Sequence, residues 1–122
     1  MKTVLSAVLV LCSTVGVFAD GVLPLDKGVY VDAAVKCEDA GNVDSMIYAG
    51  ETFHSSQMFE TMKVLGHKGD VYQIRISLKD IIVNKLIGTF HWTAVIPDNK
   101  TVTLTTQYST TTYRWCDIKM AL

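Results

Sequence analysis

Strict alternation of apolar and polar residues over two long segments is the feature that most constrains how this chain can fold. The apolar positions on one face are Tyr72, Ile74, Ile76 and Leu78 in residues 70–79, and Leu86, Phe90, Trp92, Ala94 and Ile96 in residues 86–96. This is the period of a β-strand that has one buried and one solvated face. No segment keeps a helical repeat of about 3.6 residues for three turns, so we predict an all-β fold.

Weaker strand patterns and compact turns complete an antiparallel meander. Shorter strands are predicted at residues 28–35, 45–49, 59–65, 101–110 and 111–116. Residues 66–70 and 97–100 contain the Gly, Asp, Asn and Pro residues that are typical of hairpin turns. About seven short strands bury their inner faces by curling into a small antiparallel barrel, with a lipocalin-like barrel or a sandwich as the alternatives.

The N-terminal segment has the composition of a signal peptide. Lys2 supplies a positive charge, residues 4–17 are mostly apolar, and Ala19 ends a typical cleavage sequence. We therefore expect residues 1–19 to be removed and residues 20–122 to form a single domain, exported to the periplasm or the extracellular space. No segment reaches the roughly 20 apolar residues of a membrane span, so none is predicted.

The three cysteines are divided by this leader. Cys12 lies inside it, whereas Cys37 and Cys116 bracket most of the remaining chain. In an oxidising compartment these two are expected to form a disulfide. Since Cys37 follows the first predicted strand and Cys116 ends the last, the bond would tie the ends of the meander together and favours a closed or nearly closed barrel.

The charge balance excludes one class of partner and leaves two interpretations open. With 11 Lys and Arg residues against 12 Asp and Glu residues, nothing indicates nucleic-acid binding. Acidic residues are concentrated in residues 20–60, however, and basic residues in residues 61–122. The two halves either neutralise each other across neighbouring strands or present an acidic face to a cationic partner.

Residue types that could carry chemistry are present without the spacing that chemistry needs. His54, His67 and His91 have no second ligand at a zinc-binding spacing. The His54-Ser55-Ser56 sequence has no nucleophile elbow, and adjacent residues rarely give the geometry of a nucleophile and its base. We therefore predict no catalytic residue, no metal site and no cofactor, and a protein that is not an enzyme.

Two segments are candidate binding loops. Residues 50–58 are long for a tight hairpin, and long loops on small β-scaffolds often bind partners. Residues 81–83 would lie near a loop tip if Val83 and Asn84 form the turn, whereas longer strands would place the same side chains in the core. The candidate residues are Phe53, His54, Ser55 and Ser56 in the first segment and Ile81, Ile82 and Val83 in the second.

Short sequences at both ends of the predicted domain carry a resemblance. Gly28-Val29-Tyr30-Val31 leading into Cys37, the His-Ser segment and the closing Tyr113-Arg114-Trp115-Cys116 resemble small bacterial periplasmic β-proteins of unassigned function. In size, leader and cysteine pair the chain is also similar to the periplasmic inhibitors of c-type lysozyme, which are small antiparallel barrels. The Ser/Gly-rich inhibitory loop motif of that group is absent, so no functional residue is carried over.

These observations favour a non-enzymatic exported binding protein that recognises another protein through its surface loops. One alternative is an inhibitor of a secreted hydrolase such as lysozyme. A second alternative is a carrier that holds a small ligand in an internal cavity of the barrel. The carrier would use four aromatic residues as cavity lining, namely Tyr72, Phe90, Trp92 and Tyr108.

Overall fold

Eight strands, all antiparallel to their neighbours, make up the fold in a computed structural model that describes residues 23–56 and 58–120. The predicted signal peptide and Cys12 lie outside the described residues. The strands are β1 (Gly28–Asp32), β2 (Ser45–Tyr48), β3 (Thr52–His54), β4 (Met58–Lys68), β5 (Val71–Asp80), β6 (Lys85–Asp98), β7 (Thr101–Thr105) and β8 (Thr110–Cys116).

Pairing of the first strand with the last closes these strands into a barrel. In that pairing Val29 lies opposite Cys116 and Tyr30 lies opposite Trp115. The prediction of an all-β barrel with a Cys37–Cys116 disulfide is confirmed. The barrel has eight strands where about seven were predicted, because β3 lies inside the segment that was assigned to a loop. Among the described residues, no helix has the length and apolar character that a membrane crossing requires.

The inward faces of the strands form a closely packed aromatic and aliphatic core. Its largest fully buried members are Tyr30, Tyr48, Phe53, Ile74, Ile76 and Val102. Trp92 is buried while its neighbour His91 is exposed, which confirms the predicted alternation in this part of β6. Burial of an aromatic side chain removes a large apolar area from water, so these residues account for much of the stability.

Leu86 is the exception, and its predicted inward position is wrong. The β5–β6 register shifts after the Leu78–Gly88 pair, so that Lys79 lies opposite Leu86. A register shift of one residue moves a side chain to the other face of a strand. Leu86 therefore points outward with Lys79 and is exposed to solvent.

One end of the barrel is covered by the segment that precedes β1. Leu23 and Leu25 are buried in the core, and the Tyr48 hydroxyl contacts the backbone N–H and C=O of Leu23. At the same end the Trp115 indole donates a hydrogen bond to the Lys27 carbonyl and lies against Gly28. We call this the plugged end.

A smaller apolar cluster lies on the outside of the barrel and contains the disulfide. Val29, Val31 and Cys116 point outward and are covered by the β1–β2 connection and by the segment after β8. Arg114 donates hydrogen bonds from Nη1 to the sulfur atoms of Cys37 and Cys116. The disulfide therefore holds the β1–β2 connection against β8, while backbone pairing closes the barrel itself.

Candidate functional site

A cavity of about 310 Å3 opens at the end of the barrel opposite the plugged end. We call this cavity the cup. Its apolar lining consists of Val43, Met46, Trp92 and Leu104, and its polar lining consists of Asn42, Ser45, Ser55, Ser56, Glu60, Thr106, Ser109, Thr111 and Tyr113. The cup is therefore an apolar hollow whose polar groups are hydroxyls, the Asn42 amide and one carboxylate.

The floor of the cup is the upper layer of the hydrophobic core. Met46 on β2, Trp92 on β6 and Leu104 on β7 line the cavity and are also buried core residues. Because these strands end or lose a neighbour at this level, the core stops there and leaves the hollow above it. Side chains fixed by core packing give the floor a defined shape.

Glu60 is the carboxylate in the wall of the cup. It lies on β4 opposite Phe53 and Leu78, both of which are buried, so its side chain projects into the barrel. Within the described part of the chain, no hydrogen bond or ion pair is formed by this carboxylate. Burial raises the pKa of Glu60 to about 7, because the charged form loses solvation that no partner replaces.

Tyr113 and Thr111 place hydroxyl groups near Glu60. Both project inward from β8 and line the cup. Burial raises the pKa of Tyr113, with smaller contributions from the negative charges of Asp32 and Glu60. The Tyr113 hydroxyl therefore keeps its proton at neutral pH and is available as a hydrogen-bond donor or acceptor.

The β7–β8 loop forms one side of the rim and is held in a fixed shape. The Thr106 hydroxyl accepts hydrogen bonds from the backbone N–H groups of Tyr108 and Ser109. Gln107 accepts a hydrogen bond from the Trp92 indole, with 2.6 Å between Nε1 and Oε1. Tyr108 is 79% exposed and points away from the cavity, so its predicted role as interior lining is wrong. The tightness of this loop turns the tyrosine outward.

Phe53 is not an exposed loop residue, and that prediction is wrong. It lies in the short strand β3 and is 0% exposed. Its ring packs against Tyr48 with 5.3 Å between the ring centroids. Within the predicted loop of residues 50–58, residues 52–54 form the strand β3, which a short turn joins to β2. Phe53 thus supports the wall of the cup from the core.

The other residues of that predicted loop are divided between the rim and the outer surface. Ser55 and Ser56 line the cup, as their place in the β3–β4 turn dictates. The Ser55 hydroxyl also accepts a hydrogen bond from the Met58 backbone N–H, which fixes the turn. His54 points outward and packs edge-on against Phe59. Ser55 and His54 therefore lie on different faces, which is not the arrangement of a nucleophile and its base.

Ile81, Ile82 and Val83 are exposed at the tip of the β5–β6 hairpin. The sequence allowed these side chains to lie either at a loop tip or in the core, and the structure places them at a loop tip. The turn continues to Asn84, which adopts a φ of 54°, a left-handed conformation that Asn tolerates. The tip lies at the same end of the barrel as the mouth of the cup.

Other potential sites are less well formed. In the described residues, no group of three or more His, Cys, Asp or Glu side chains could hold a metal ion. His67 stacks on Tyr72 with 4.7 Å between the ring centroids, far from the cup along the strands. A second hollow of about 460 Å3 lies beside the plug, but its charged residues Lys27 and Glu51 are exposed and solvated.

Comparisons with known proteins add no assignment, since no family model, curated protein or solved structure matches the chain. The residues of the cup are therefore the basis for assigning a function.

Sequence reasoning missed Glu60, although a signal was present. Glu60 has the same strand parity as Met58, Met62 and Val64, so it was an acidic residue on an otherwise apolar face.

Proposed function

We propose that this protein is a non-enzymatic binding protein that takes a small cationic ligand into the cup. The observation that carries the proposal is the carboxylate of Glu60, which has no partner among the described residues and lies in the wall of a cavity whose other polar side chains are hydroxyls and the Asn42 amide. Of the functions that the sequence suggested, this is the carrier, with the ligand at the open end of the barrel.

The size and lining of the cup fit a small organic molecule. A volume of about 310 Å3 is at the lower end of the range for ligand pockets. Such pockets combine an apolar surface with a few placed polar groups that orient the ligand. Trp92 and Met46 supply the apolar surface, while Thr111 and Tyr113 supply hydroxyl groups beside Glu60.

The electrostatics of Glu60 favour a positively charged group on that ligand. Even a half-buried carboxylate such as Glu60 is costly when it is charged and unpaired. A ligand ammonium group would supply the missing partner, and it would lower the pKa of Glu60 by stabilising the charged form. Below its raised pKa of about 7, Glu60 binds a proton in the free protein, so ammonium binding should release that proton.

A binding role is favoured over catalysis by the composition of the cup. Glu60 has hydroxyl groups around it, and none of the described histidines lines the cavity. Catalysis of hydrolysis or group transfer usually needs a second group of matched pKa or an activated nucleophile within hydrogen-bond reach. One carboxylate among neutral polar side chains is better suited to recognition of a cation.

Titration with benzylamine, followed by the indole N–H signals in NMR, tests the proposal. Trp92 lies in the floor of the cup, whereas Trp115 lies at the plugged end and serves as an internal control. We expect benzylamine to shift the Trp92 signal and to leave the Trp115 signal in place. Neutral benzyl alcohol has nearly the same shape and should bind at least about ten-fold more weakly, since it offers Glu60 no charge.

Two matched variants complete the design. Glu60→Gln should weaken benzylamine binding by about ten-fold or more, because the charge pair is lost while the shape is kept. Glu51→Gln removes an exposed carboxylate at the plugged end and should leave binding unchanged. Equal affinity for the amine and the alcohol, or an unchanged affinity in Glu60→Gln, would contradict a cationic ligand. Shifts of the Trp115 signal alone would contradict the cup as the site.

A further inference from the structure

The tip of the β5–β6 hairpin is an exposed aliphatic surface. Ile82 is 71% exposed and Val83 is 64% exposed, and Ile81, Leu86 and Ile87 beside them are also exposed. We call these five residues the aliphatic tip. Isolated exposed apolar residues are common, but a contiguous group at a protruding point usually marks a contact with a partner or a membrane.

Two backbone N–H groups of the tip are hydrogen-bonded within the turn. The Asp80 carboxylate accepts hydrogen bonds from the backbone N–H groups of Ile82 and Val83 through Oδ1. These bonds fix the turn and also engage the negative charge of Asp80. A turn whose N–H groups are already bonded loses less free energy when it enters an apolar environment.

Basic residues continue from the tip along the outer face of β4 and β5. Lys79 lies next to the tip, and the Lys63–Arg75 pair lies four residue pairs further from it along the same outward face. At the described outward positions of these two strands there is no carboxylate, because Glu60 and Asp80 occupy inward positions and Asp70 is in the turn. The aliphatic tip therefore lies directly beside a basic surface.

A group of acidic residues lies on the opposite side of the barrel. Glu38, Asp39 and Asp44 are in the β1–β2 connection, and β1 is four strands away from β5 around the ring of eight. Lys100 and Asp26 do form an ion pair between the two halves of the chain. Asp70 and Asp80 lie at the two ends of β5, whereas the outward positions of β4 and β5 between them carry Lys63, Arg75 and Lys79 without a carboxylate. Such a charge distribution orients a protein on an anionic surface.

We propose that the aliphatic tip and the adjacent basic face bind an anionic lipid surface. A convex tip buries little area against a rigid protein, but it can insert fully among lipid headgroups. Lys79 and Lys85 on either side of the tip would then lie at the level of the anionic headgroups. Binding of this kind is peripheral, and it would turn the mouth of the cup toward the lipid.

A second copy of this chain is a less favourable partner for the aliphatic tip than a lipid surface. β6 pairs with β7 only from Thr93 onward, so residues 85–92 form a free strand edge. That edge begins with Lys85 and is interrupted by the register shift opposite Leu78 and Lys79. A lysine and an irregularity are the features by which strand edges avoid pairing with another copy.

Co-sedimentation with lipid vesicles tests the proposal. The purified protein is mixed with vesicles of phosphatidylcholine alone or of phosphatidylcholine and phosphatidylglycerol. We expect binding to the anionic vesicles and at least about ten-fold weaker binding of Ile82→Asp, because a carboxylate at the tip resists insertion. Leu65→Asp is the matched control, since Leu65 is an exposed leucine toward the other end of the same sheet.

The basic residues are tested separately. Lys79→Gln combined with Lys85→Gln should weaken binding by about 25-fold, at about five-fold for each lysine near an anionic surface. Lys36→Gln combined with Lys119→Gln makes the same charge change away from the tip and should have little effect. Absence of vesicle binding, or binding that Ile82→Asp leaves unchanged, would overturn the proposal. A dimer in analytical ultracentrifugation that Ile82→Asp dissociates, without vesicle binding, would assign the tip to a second copy instead.

Discussion

Trp92 donates a hydrogen bond from its indole Nε1 to the side-chain carbonyl of Gln107, with 2.6 Å between the two atoms. This bond joins the floor of the cup to its rim. Trp92 is held by the core, so it gives the exposed β7–β8 loop a fixed point of attachment. The shape of the cup therefore depends on core packing as well as on the loops, and core substitutions at this level should affect both stability and binding.

Trp92 and His91 should differ sharply in their contribution to stability. Trp92→Ala removes a buried aromatic side chain and should lower the free energy of unfolding by about 3–5 kcal/mol. His91→Ala removes an exposed side chain on the other face of β6 and should change it by no more than about 0.5 kcal/mol. Urea denaturation of the two variants measures the difference, and similar costs would contradict the strand register.

The raised pKa of Glu60 should make the free energy of unfolding depend on pH. The pKa is about 7 in the folded protein and near its usual 4.5 in the unfolded chain. The folded state therefore holds this proton more tightly, and the resulting stabilisation is complete below about pH 4.5. It is lost as the pH rises through about 7, by at most about 3 kcal/mol.

Denaturation midpoints of wild type and Glu60→Gln between pH 4.5 and 8 isolate this effect. The amide of the variant does not titrate, so its free energy of unfolding should fall less over this range than that of wild type. Glu51→Gln alters an exposed carboxylate and should retain the wild-type pH dependence. If Glu60→Gln and wild type show parallel curves, then Glu60 does not titrate near neutral pH in the folded state.

Periodicity predicts the long strands well and the short strand poorly. In β5 and β6 the alternation continues over enough residues to define both the strand and its buried face. The strand β3 has only three residues, with Phe53 between Thr52 and His54. One apolar residue between two polar ones occurs in loops as often as in strands. The burial of Phe53 is decided by Tyr48 on the neighbouring strand, which sequence does not place beside it.

The cup could be predicted only in part, for a similar reason. Its lining comes from β2, β4, β6, β7, β8 and three connections, and these meet only after the barrel has closed. Closure depends on the register of every pair of neighbouring strands. The β5–β6 pairing contains a register shift, which also turned Leu86 to the outer face of the sheet. Glu60 was within reach of sequence reasoning, because an acidic residue at an inward position of a strand is rare without a function.

The Cys37–Cys116 disulfide should stabilise the domain without determining its fold. Replacement of both cysteines by serine should lower the free energy of unfolding by about 2–5 kcal/mol. The β1–β8 backbone pairs close the barrel independently of the sulfur atoms, so the far-UV circular dichroism of the folded variant should match that of wild type. An unchanged denaturation midpoint would contradict the stabilising role, and a loss of the β spectrum would contradict independent closure.

Phe53→Ala and Ile82→Asp are expected to have opposite effects, although sequence alone placed both residues in candidate binding loops. Phe53 is fully buried, so its truncation leaves a cavity in the core and should cost about 3–5 kcal/mol. Ile82 is mostly solvated, so a carboxylate there loses no hydration and should change the free energy of unfolding by about 0.5 kcal/mol or less. Urea denaturation measures both, with Leu65→Asp as a second exposed substitution. A cost of several kcal/mol for Ile82→Asp would mean that the hairpin tip folds back onto the barrel, and it would remove the basis for a lipid-binding tip.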